Sequence, residues 1–260
     1  MATTFYQVDA FTAQAFAGNP AMVYRLEQWP SDARMQAIAA EHNLAETVFV
    51  GPDAELGLRI RWFTPAVEVD LCGHATLAAA QVLSEVYGLP LPLRFASLSG
   101  ELRVAEDAQG RLQLDFPQQA CTPFEATPAL EAALGQTVVE AVAGLNLLVR
   151  LESAAAVLAC TPDMRAIRGW PQQGVIVTAE GEDCDFVSRY FAPQVGIDED
   201  PVTGSAHCAL MPFWQARLNK SQMFARQVSA RGGELWCELK GERVLIAGQA
   251  VIVARGELLV

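Results

Sequence analysis

A short phrase of aromatic residues between an arginine and a proline occurs twice in this chain. Residues 61–65 read RWFTP, and residues 189–193 read RYFAP. After a loop of different length, each phrase is followed by a glycine and small residues, GHAT at 73–76 and GSAH at 204–207. A five-residue match can arise by chance, but a match that continues into a second motif in the same order predicts an internal duplication. We therefore expect two halves of similar fold.

Each copy is predicted to end a strand, form a loop and begin a helix with a glycine, Gly73 in the first copy and Gly204 in the second. The start of a helix exposes unpaired N–H groups and the positive end of the helix dipole, and glycine lets a ligand approach the backbone closely. Two such helix starts, related by a pseudo-twofold axis, can face each other across a cleft. A cleft of this kind would hold a small carboxylate and let two groups act on opposite faces of one substrate.

The composition argues against several classes of protein. The chain has 260 residues, of which 52% are hydrophobic and 18% charged, as is typical of a well-packed domain. No apolar run reaches the ~20 residues of a membrane helix, and the net charge of −12 argues against a nucleic-acid partner. The first residues, MATTFYQVDAF, do not resemble a secretory signal, so we expect a cytoplasmic protein.

The six cysteines lack CxxC spacing, which argues against a zinc or redox site and favours free, buried thiols.

The hydrophobic pattern predicts many short strands and few helices. The segment GHATLAAAQVL from Gly73 is apolar on nearly all faces, so we expect a buried helix with strands wrapped around it. Strands are predicted at 145–151 and 155–160, and a Pro-rich crossing near 117–124 marks a domain boundary. The predicted helices begin at Ser31 or Asp32, at Gly73, at Thr127, near residue 162 and at Gly204, the last ending at about Leu218.

Four segments, in the order AFAGNPAMV, HNLAETVFV, RWFTPAVEVDLCGHATLAAA and EDPVTGSA, resemble the motifs of the PhzF family of phenazine biosynthesis. That family shares its fold with diaminopimelate epimerase. The resemblance implies an α+β fold of two pseudo-symmetric domains, each a barrel-like, mostly antiparallel sheet around a central helix. The expected domains are 1–118, to which a strand at about 250–260 returns, and 119–249. The resemblance also implies a homodimer and an active site between the domains that uses neither metal nor cofactor.

The resemblance assigns catalytic roles to three residues, each of which has a plainer alternative. Glu46 in HNLAETVFV occupies the place of the family's acid/base glutamate, whereas most carboxylates are solvated surface groups. Asp200 in EDPVTGSA matches an aspartate that faces the substrate, and its alternative is a turn residue before Pro201. His74 matches an active-site histidine, and its alternative is a structural hydrogen bond.

Four further residues are candidates for substrate binding. Gly73, Gly204 and Ser205 are expected to hold the ligand through backbone N–H groups and, for Ser205, through its hydroxyl. Asn19 in the turn GNP is either a ligand contact or a purely structural turn residue.

The cysteines argue against a two-thiol mechanism. Diaminopimelate epimerase uses a cysteine at each of its two helix starts, and Cys72 resembles the first of these. The second start reads EDPVTGSA without a cysteine, and Cys208 lies inside the helix. Cys72 is then most simply a small buried residue. We expect His207 to serve packing and His42 to make local contacts.

Three functions remain open. The first is a cofactor-independent isomerase that moves a proton on a small carboxylate-bearing metabolite, with trans-2,3-dihydro-3-hydroxyanthranilate as one candidate substrate by resemblance. The second is a racemase or epimerase of an amino acid or a related acid, which needs two opposed proton-transfer groups. The third is a non-catalytic binder of small molecules on the same scaffold, because fold alone does not determine function.

Overall fold

A computed structural model of the chain describes residues 3–259. The chain forms two compact units. One contains the residues up to Asp115 and those from Ala247 on, and the other is the continuous segment Phe116–Ile246. The domain bounds predicted from the sequence, 1–118 with 250–260 and 119–249, stay a prediction, and residues 1, 2 and 260 lie outside the described part of the chain.

Over the described residues, the chain forms many short strands and six α-helices. Two 3-10 turns, Pro193–Val195 and Gly204–Ala206, lie between them. In chain order the elements are β1 (Thr3–Ala10), β2 (Asn19–Arg25), α1 (Asp32–His42), β3 (Glu46–Asp53), β4 (Gly57–Phe63), β5 (Glu68–Val69), α2 (Gly73–Glu85), β6 (Leu93–Ser97), β7 (Gly100–Glu106), β8 (Leu112–Pro117), β9 (Thr122–Phe124), α3 (Pro128–Leu134), β10 (Val138–Ala143), β11 (Leu147–Leu151), α4 (Ala154–Ala159), α5 (Met164–Arg168), β12 (Val175–Glu180), β13 (Phe186–Ala192), β14 (Ile197–Asp200), α6 (His207–Leu218), β15 (Gln222–Gln227), β16 (Gly233–Lys240), β17 (Arg243–Gly248) and β18 (Ala250–Leu258).

In the first unit, β1 lies between β18 and β2 and pairs antiparallel with both. Strands β2 and β3 run parallel to each other. Two parallel neighbours need a crossover connection, and helix α1 lies in it. Strand β4 then pairs antiparallel with β3 and β5 and parallel with β6. Strand β7 pairs antiparallel with β6.

The second unit repeats these pairings in the same order. Strand β11 pairs antiparallel with β10 and parallel with β12. Strand β13 pairs antiparallel with β12 and β14 and parallel with β15, and β16 pairs antiparallel with β15. Strands β1 to β7 therefore correspond one by one to β10 to β16. The duplication predicted from the repeated phrase is present in the topology of the chain.

Helix α2 is enclosed by the sheet of the first unit. It packs against β1, β2, β3, β7 and β18, and ten of its residues are buried, including the whole run from Gly73 to Ala80. The small side chains let the surrounding strands approach the helix closely, and burial of the apolar surface stabilises the arrangement by roughly 25 cal/mol per Å². The predicted central helix is thus observed.

The arginine of the repeated phrase makes the same contacts in both units. Arg61 on β4 donates two hydrogen bonds of 2.7 Å to the carboxylate of Glu68 on β5. Arg189 on β13 donates bonds of 2.7 and 2.9 Å to Glu199 on β14. Each arginine also lies over a phenylalanine ring two positions further along its strand. The phrase recurs because each copy joins its long strand to the short strand that leads to a helix.

Two predictions of secondary structure need correction. The strand predicted at 155–160 is wrong, because Ala154–Ala159 form helix α4. The Ser153 hydroxyl accepts a hydrogen bond from the N–H of Ala156, and the alanines favour a helix. The helix predicted from Gly204 begins as a 3-10 turn and becomes an α-helix only at His207.

No helix within residues 3–259 combines the length and apolar character needed to cross a membrane. The cytoplasmic location and the homodimer expected from the sequence stay predictions.

Candidate active site

The ends of three elements meet at one point in the first unit. Glu46 is the first residue of β3, directly after the loop that follows α1. Asn19 is the first residue of the neighbouring strand β2, and His74 is the second residue of α2. Cys72 is the residue that precedes α2, and its side chain makes no capping hydrogen bond to the helix. The order of the elements therefore brings together polar residues that lie far apart in the sequence.

The imidazole of His74 is the centre of this cluster. Its Nδ1 atom lies 3.2 Å from the amide nitrogen of Asn19 and 3.4 Å from the sulfur of Cys72. Its Nε2 atom lies 3.1 Å from a carboxylate oxygen of Glu46. The exposed fraction is 4% for His74, 7% for Cys72 and 8% for Glu46, and Asn19 is fully buried. The cluster is thus a polar group in a largely dry environment.

The Asn19 contact determines which ring nitrogen of neutral His74 carries the proton. The Asn19 amide donates to Nδ1, so Nδ1 acts as the acceptor and the proton lies on Nε2. That nitrogen lies on the side of Glu46. The contact is at ion-pair distance, yet Nε2 and Oε2 of Glu46 have no well-aligned hydrogen bond within the described part of the chain.

Burial and charge act on the cluster in opposite directions. Burial raises the pKa of the Cys72 thiol, the negative charge of Glu46 raises it further, and His74 only partly opposes these effects. Burial lowers the pKa of His74, but negative charge at Cys72 and Glu46 raises it, and the net direction is upward. Because the thiol stays protonated, we attribute the raised pKa of His74 to the carboxylate of Glu46.

Several residues singled out from the sequence lie together in one cluster, and their roles stay predictions. The alternative of a solvated surface residue is wrong for Glu46, which is buried. Asn19 contacts His74 directly, beyond its place in a turn. Cys72 is buried as predicted, but it also contacts His74, so it is more than a space-filling residue. Gly73 is the first residue of α2 and is buried.

A second polar group lies within the second unit, around Asp200 at the end of β14. The hydroxyl of Thr203 donates to the carboxylate of Asp200. The side chain of Gln227 on β15 donates to the Asp200 carbonyl and accepts from the Thr203 N–H, both at 2.8 Å. Sequence reasoning missed Thr203 and Gln227. The repeat offers a signal for Thr203, because it precedes Gly204 as Cys72 precedes Gly73.

The remaining candidates have more local surroundings. Gly204 and Ser205 lie in the 3-10 turn before α6, with Gly204 buried and Ser205 half-buried. Nδ1 of His207 lies 2.9 Å from the Thr203 carbonyl oxygen, and burial lowers the pKa of His207 to about 4. His42 contacts the hydroxyl of Tyr24 at 2.6 Å. Both histidines have the packing and local contacts that were expected, and ligand contacts of Gly204 and Ser205 stay predictions.

Three comparisons relate the chain to known proteins. A family model described as phenazine biosynthesis-like protein (PhzC-PhzF) matches residues 8–256. An uncharacterised isomerase of Pseudomonas aeruginosa is 58% identical over 260 residues, covering 99% of both chains. The crystal structure of a phenazine biosynthesis protein of the PhzF family from Enterococcus faecalis covers 100% of both chains, with a TM-score of 0.96 and 46% identity.

A more distant comparison concerns the fold alone. The crystal structure of a hydroxyproline epimerase from Agrobacterium vitis matches with a TM-score of 0.65 and 10% identity, covering 99% of this chain and 92% of that chain. The predicted α+β fold is confirmed, and it is one that epimerases also have.

Proposed function

Because the chain belongs to the PhzC-PhzF family of phenazine biosynthesis-like proteins, we propose that it is an isomerase that moves a proton on a small carboxylate-bearing substrate, with Glu46 as general acid and base. The similarity to a protein named as an isomerase over nearly its whole length supports the reaction class. The observation that carries the assignment of Glu46 is its buried carboxylate, 3.1 Å from the imidazole of His74.

The proposed reaction has two proton transfers. The carboxylate of Glu46 takes a proton from a carbon of the substrate, and the resulting carboxylic acid returns it to another carbon while the double bonds rearrange. One C–H bond breaks, one forms, and no electrons leave the substrate, so these steps need no cofactor. A buried general base suits this task because proton transfer by a positioned side chain contributes roughly 10²–10⁴-fold to a rate.

We propose that His74 positions the carboxylate of Glu46 and offsets its negative charge. Asn19 fixes the imidazole from the opposite side, so the ring presents Nε2 to the carboxylate in one orientation. The N–H groups of the first turn of α2, a helix without a side-chain cap, are the place proposed for the substrate carboxylate beside Gly73. The role proposed for Asp200, to orient the substrate or a proton, is supported by its fixed orientation next to the Thr203 hydroxyl.

The alternative of a racemase or epimerase is favoured by one observation. Cys72 stands at a helix start with its sulfur 3.4 Å from His74, as a thiol acid/base would. In that case Cys72 would first have to lose its own proton, the thiolate would then remove the substrate proton, and Glu46 would have only an electrostatic role. The two hypotheses differ in which single substitution abolishes proton exchange.

The test is proton exchange followed by ¹H NMR in D₂O. The protein is mixed with trans-2,3-dihydro-3-hydroxyanthranilate and a panel of amino and hydroxy acids. We expect deuterium to enter one compound with the unaltered protein, and Glu46→Gln to slow this exchange by roughly 10²–10⁴-fold. Glu41→Gln, at an exposed position on α1, is the matched control and should leave the rate unchanged.

Two outcomes would contradict the proposal. Undiminished exchange in Glu46→Gln, together with its loss in Cys72→Ser, would assign the chemistry to the thiol and favour the racemase or epimerase. Saturable binding of a compound without any exchange would favour the non-catalytic binder.

A further inference from the structure

The repeated phrase defines which positions of the two halves are equivalent. Its second aromatic residue and the strand partner of that residue give two equivalent pairs, Phe63 with Phe191 and Thr47 with Val175. The position that corresponds to Glu46 is therefore Gly174. The position that corresponds to the buried Trp62 is Tyr190. The second unit thus has no carboxylate at the Glu46 position, and it has a phenol where the first unit has an indole.

The hydroxyl of Tyr190 takes up space that Gly174 leaves open. A β-carbon placed on Gly174 would collide with this hydroxyl and with the ring carbons next to it. The hydroxyl therefore lies where a side chain equivalent to that of Glu46 would begin. Gly174 is buried, whereas Tyr190 is half-buried. The second unit presents a phenol just before β12, at the place where the first unit presents a carboxylate at the start of β3.

Asn146 fixes the direction of this hydroxyl. Tyr190 donates a hydrogen bond of 3.0 Å to Oδ1 of Asn146, and Asn146 is buried. A phenol has one hydrogen to donate, but its oxygen can accept a hydrogen bond at the same time. Because the hydrogen is directed at Asn146, the phenol oxygen is oriented as an acceptor for another group.

Asp200 lies beside Tyr190 on the neighbouring strand. The two residues are partners in the pairing of β13 with β14, and such partners project from the same face of a sheet. Burial and the negative charge of Asp200 raise the pKa of Tyr190, so the phenol stays protonated at neutral pH and does not act as a base. The carboxylate accepts from the Thr203 hydroxyl and has further lone pairs. Tyr190 and Asp200 therefore offer two hydrogen-bond acceptors on neighbouring strands.

We propose that Tyr190 is a substrate-binding residue whose phenol oxygen, together with the carboxylate of Asp200, accepts hydrogen bonds from an amino or hydroxyl group of the substrate. The inference rests on the proposed function, in which Asp200 orients the substrate, and it narrows the substrate class. The substrate is then a small acid that carries a hydrogen-bond donor in addition to its carboxylate. A plain carboxylic acid would leave both acceptors without a partner, which weakens binding. An amino group can donate to both acceptors and a hydroxyl to one.

The test is the binding of three aromatic acids that differ in one group. Anthranilate has an amino group beside its carboxylate, salicylate has a hydroxyl there, and benzoate has neither. Isothermal titration calorimetry measures their affinity for the unaltered protein and for Tyr190→Phe. We expect the unaltered protein to bind anthranilate or salicylate roughly tenfold more tightly than benzoate, and Tyr190→Phe to reduce this preference to about twofold. The affinity for benzoate should stay the same. The acid that binds more tightly identifies the donor as an amino group or as a hydroxyl.

Two further variants sharpen the test. Tyr87→Phe is the matched control, because it removes a hydroxyl that hydrogen-bonds to Tyr6 in the first unit, and it should keep the full preference. Asn146→Ala leaves the phenol in place but frees its hydrogen to bond to Asp200, so it should also reduce the preference. Circular dichroism checks that each variant is folded, and Asn146→Ala provides the comparison if Tyr190→Phe does not fold.

Two outcomes would overturn the inference. One is the absence of any preference for the donor-bearing acids in the unaltered protein, including the case in which none of the three acids binds. The other is an equal loss of affinity for all three acids in Tyr190→Phe, because that would show a purely structural role. Binding of these acids requires no proton transfer. Loss of the preference with proton exchange intact would contradict this inference alone, and a preference without proton exchange would contradict the proposed function alone.

Discussion

The two halves of the chain share one framework but differ in the groups that the framework presents. Both join a long strand to a short one through an arginine–glutamate pair, and in both a largely buried helix is the next helix along the chain. At the helix start, the first half has Cys72 and His74 beside Glu46, whereas the second has a hydroxyl and a carboxamide around Asp200. The strand pairing and the ion pair are thus present in both copies, while the side chains at the helix starts differ.

The buried histidines show the same contrast. The pKa of His74 is raised because the negative charge of Glu46 outweighs the effect of burial, whereas the pKa of His207 is lowered to about 4 because no carboxylate opposes the effect of burial there. His74 is therefore stabilised in its charged form, and His207 in its neutral form. A difference of two or three side chains is enough to reverse the sign of the shift.

The largest effect is expected from removing the shared arginine. Arg189 also donates from Nη1 to the carbonyls of Val157, Leu158 and Cys160 at the end of α4, whereas Nη1 of Arg61 bonds to the exposed Asp32. We expect Arg189→Met to lower the free energy of unfolding by roughly 3–4 kcal/mol, because the carbonyls at the end of α4 also lose their donor, and Arg61→Met by about 1–2 kcal/mol.

Denaturant unfolding measures this difference, and hydrogen exchange shows which unit is affected. Arg61→Met should increase exchange in β4 and β5, and Arg189→Met in β13 and α4. Equal losses in the two variants would mean that the three carbonyl contacts contribute nothing, and the two halves would then be energetically alike at this position.

An effect of similar size but different origin is expected from pH. The folded-state pKa of His207 is about 4 and the unfolded value is about 6.5, so the unfolded chain binds a proton first as the pH falls. Stability is therefore fully present above about pH 6.5 and decreases as the pH falls towards 4, by about 3 kcal/mol in total. His207→Asn keeps a donor towards the Thr203 carbonyl without titrating.

The measurement is the free energy of unfolding at pH 7 and at pH 4 for both proteins. Because other groups titrate equally in the two, the unaltered protein should lose about 3 kcal/mol more than His207→Asn over this interval. Identical losses would show that His207 can be protonated in the folded state at little cost.

The smallest effect is expected from the thiol at the first helix start. If Glu46 is the general base, Cys72→Ser should slow proton exchange less than about tenfold, which corresponds to under ~1.4 kcal/mol of activation free energy. Thr203→Ser, which keeps a hydroxyl at the equivalent position of the second half, is the companion variant and should change the rate still less. If Cys72→Ser slowed proton exchange as much as Glu46→Gln, the two residues would act together in proton transfer. The thiol and the carboxylate would then be equally important for the rate.

Sequence patterns predicted most of the framework because they depend on local features. The apolar periodicity of residues 73–83 and the cap at Ser31 each indicate an element without tertiary information, and α2 and α1 have the expected positions. The strand predicted at 155–160 failed because a short run of alanine and valine has no decisive period. Its helical state depends on the Ser153 cap and on Arg189, which lies on a distant strand.

The candidate site could be predicted from the sequence only at residues that belong to a motif. Glu46, His74 and Asp200 stood out through their resemblance to a known family, but the contacts among Glu46, Cys72 and His74 depend on strand register. Gln227 had no sequence signal, because a glutamine on a strand normally faces solvent. Only the parallel pairing of β15 with β13 brings it to the Asp200–Thr203 segment.

The pairing of β18 with β1 has a consequence for synthesis of the chain on the ribosome. Residues 250–258 complete the first unit, pairing along β1 from Ala10 to Thr3, whereas the second unit consists of one continuous segment. The nascent polypeptide must therefore keep one edge of β1 without its final partner until the whole second unit has been translated. During that interval this edge of β1 presents unpaired N–H and C=O groups. Such an edge can be bound by chaperones or can pair with a strand of another chain in an aggregate.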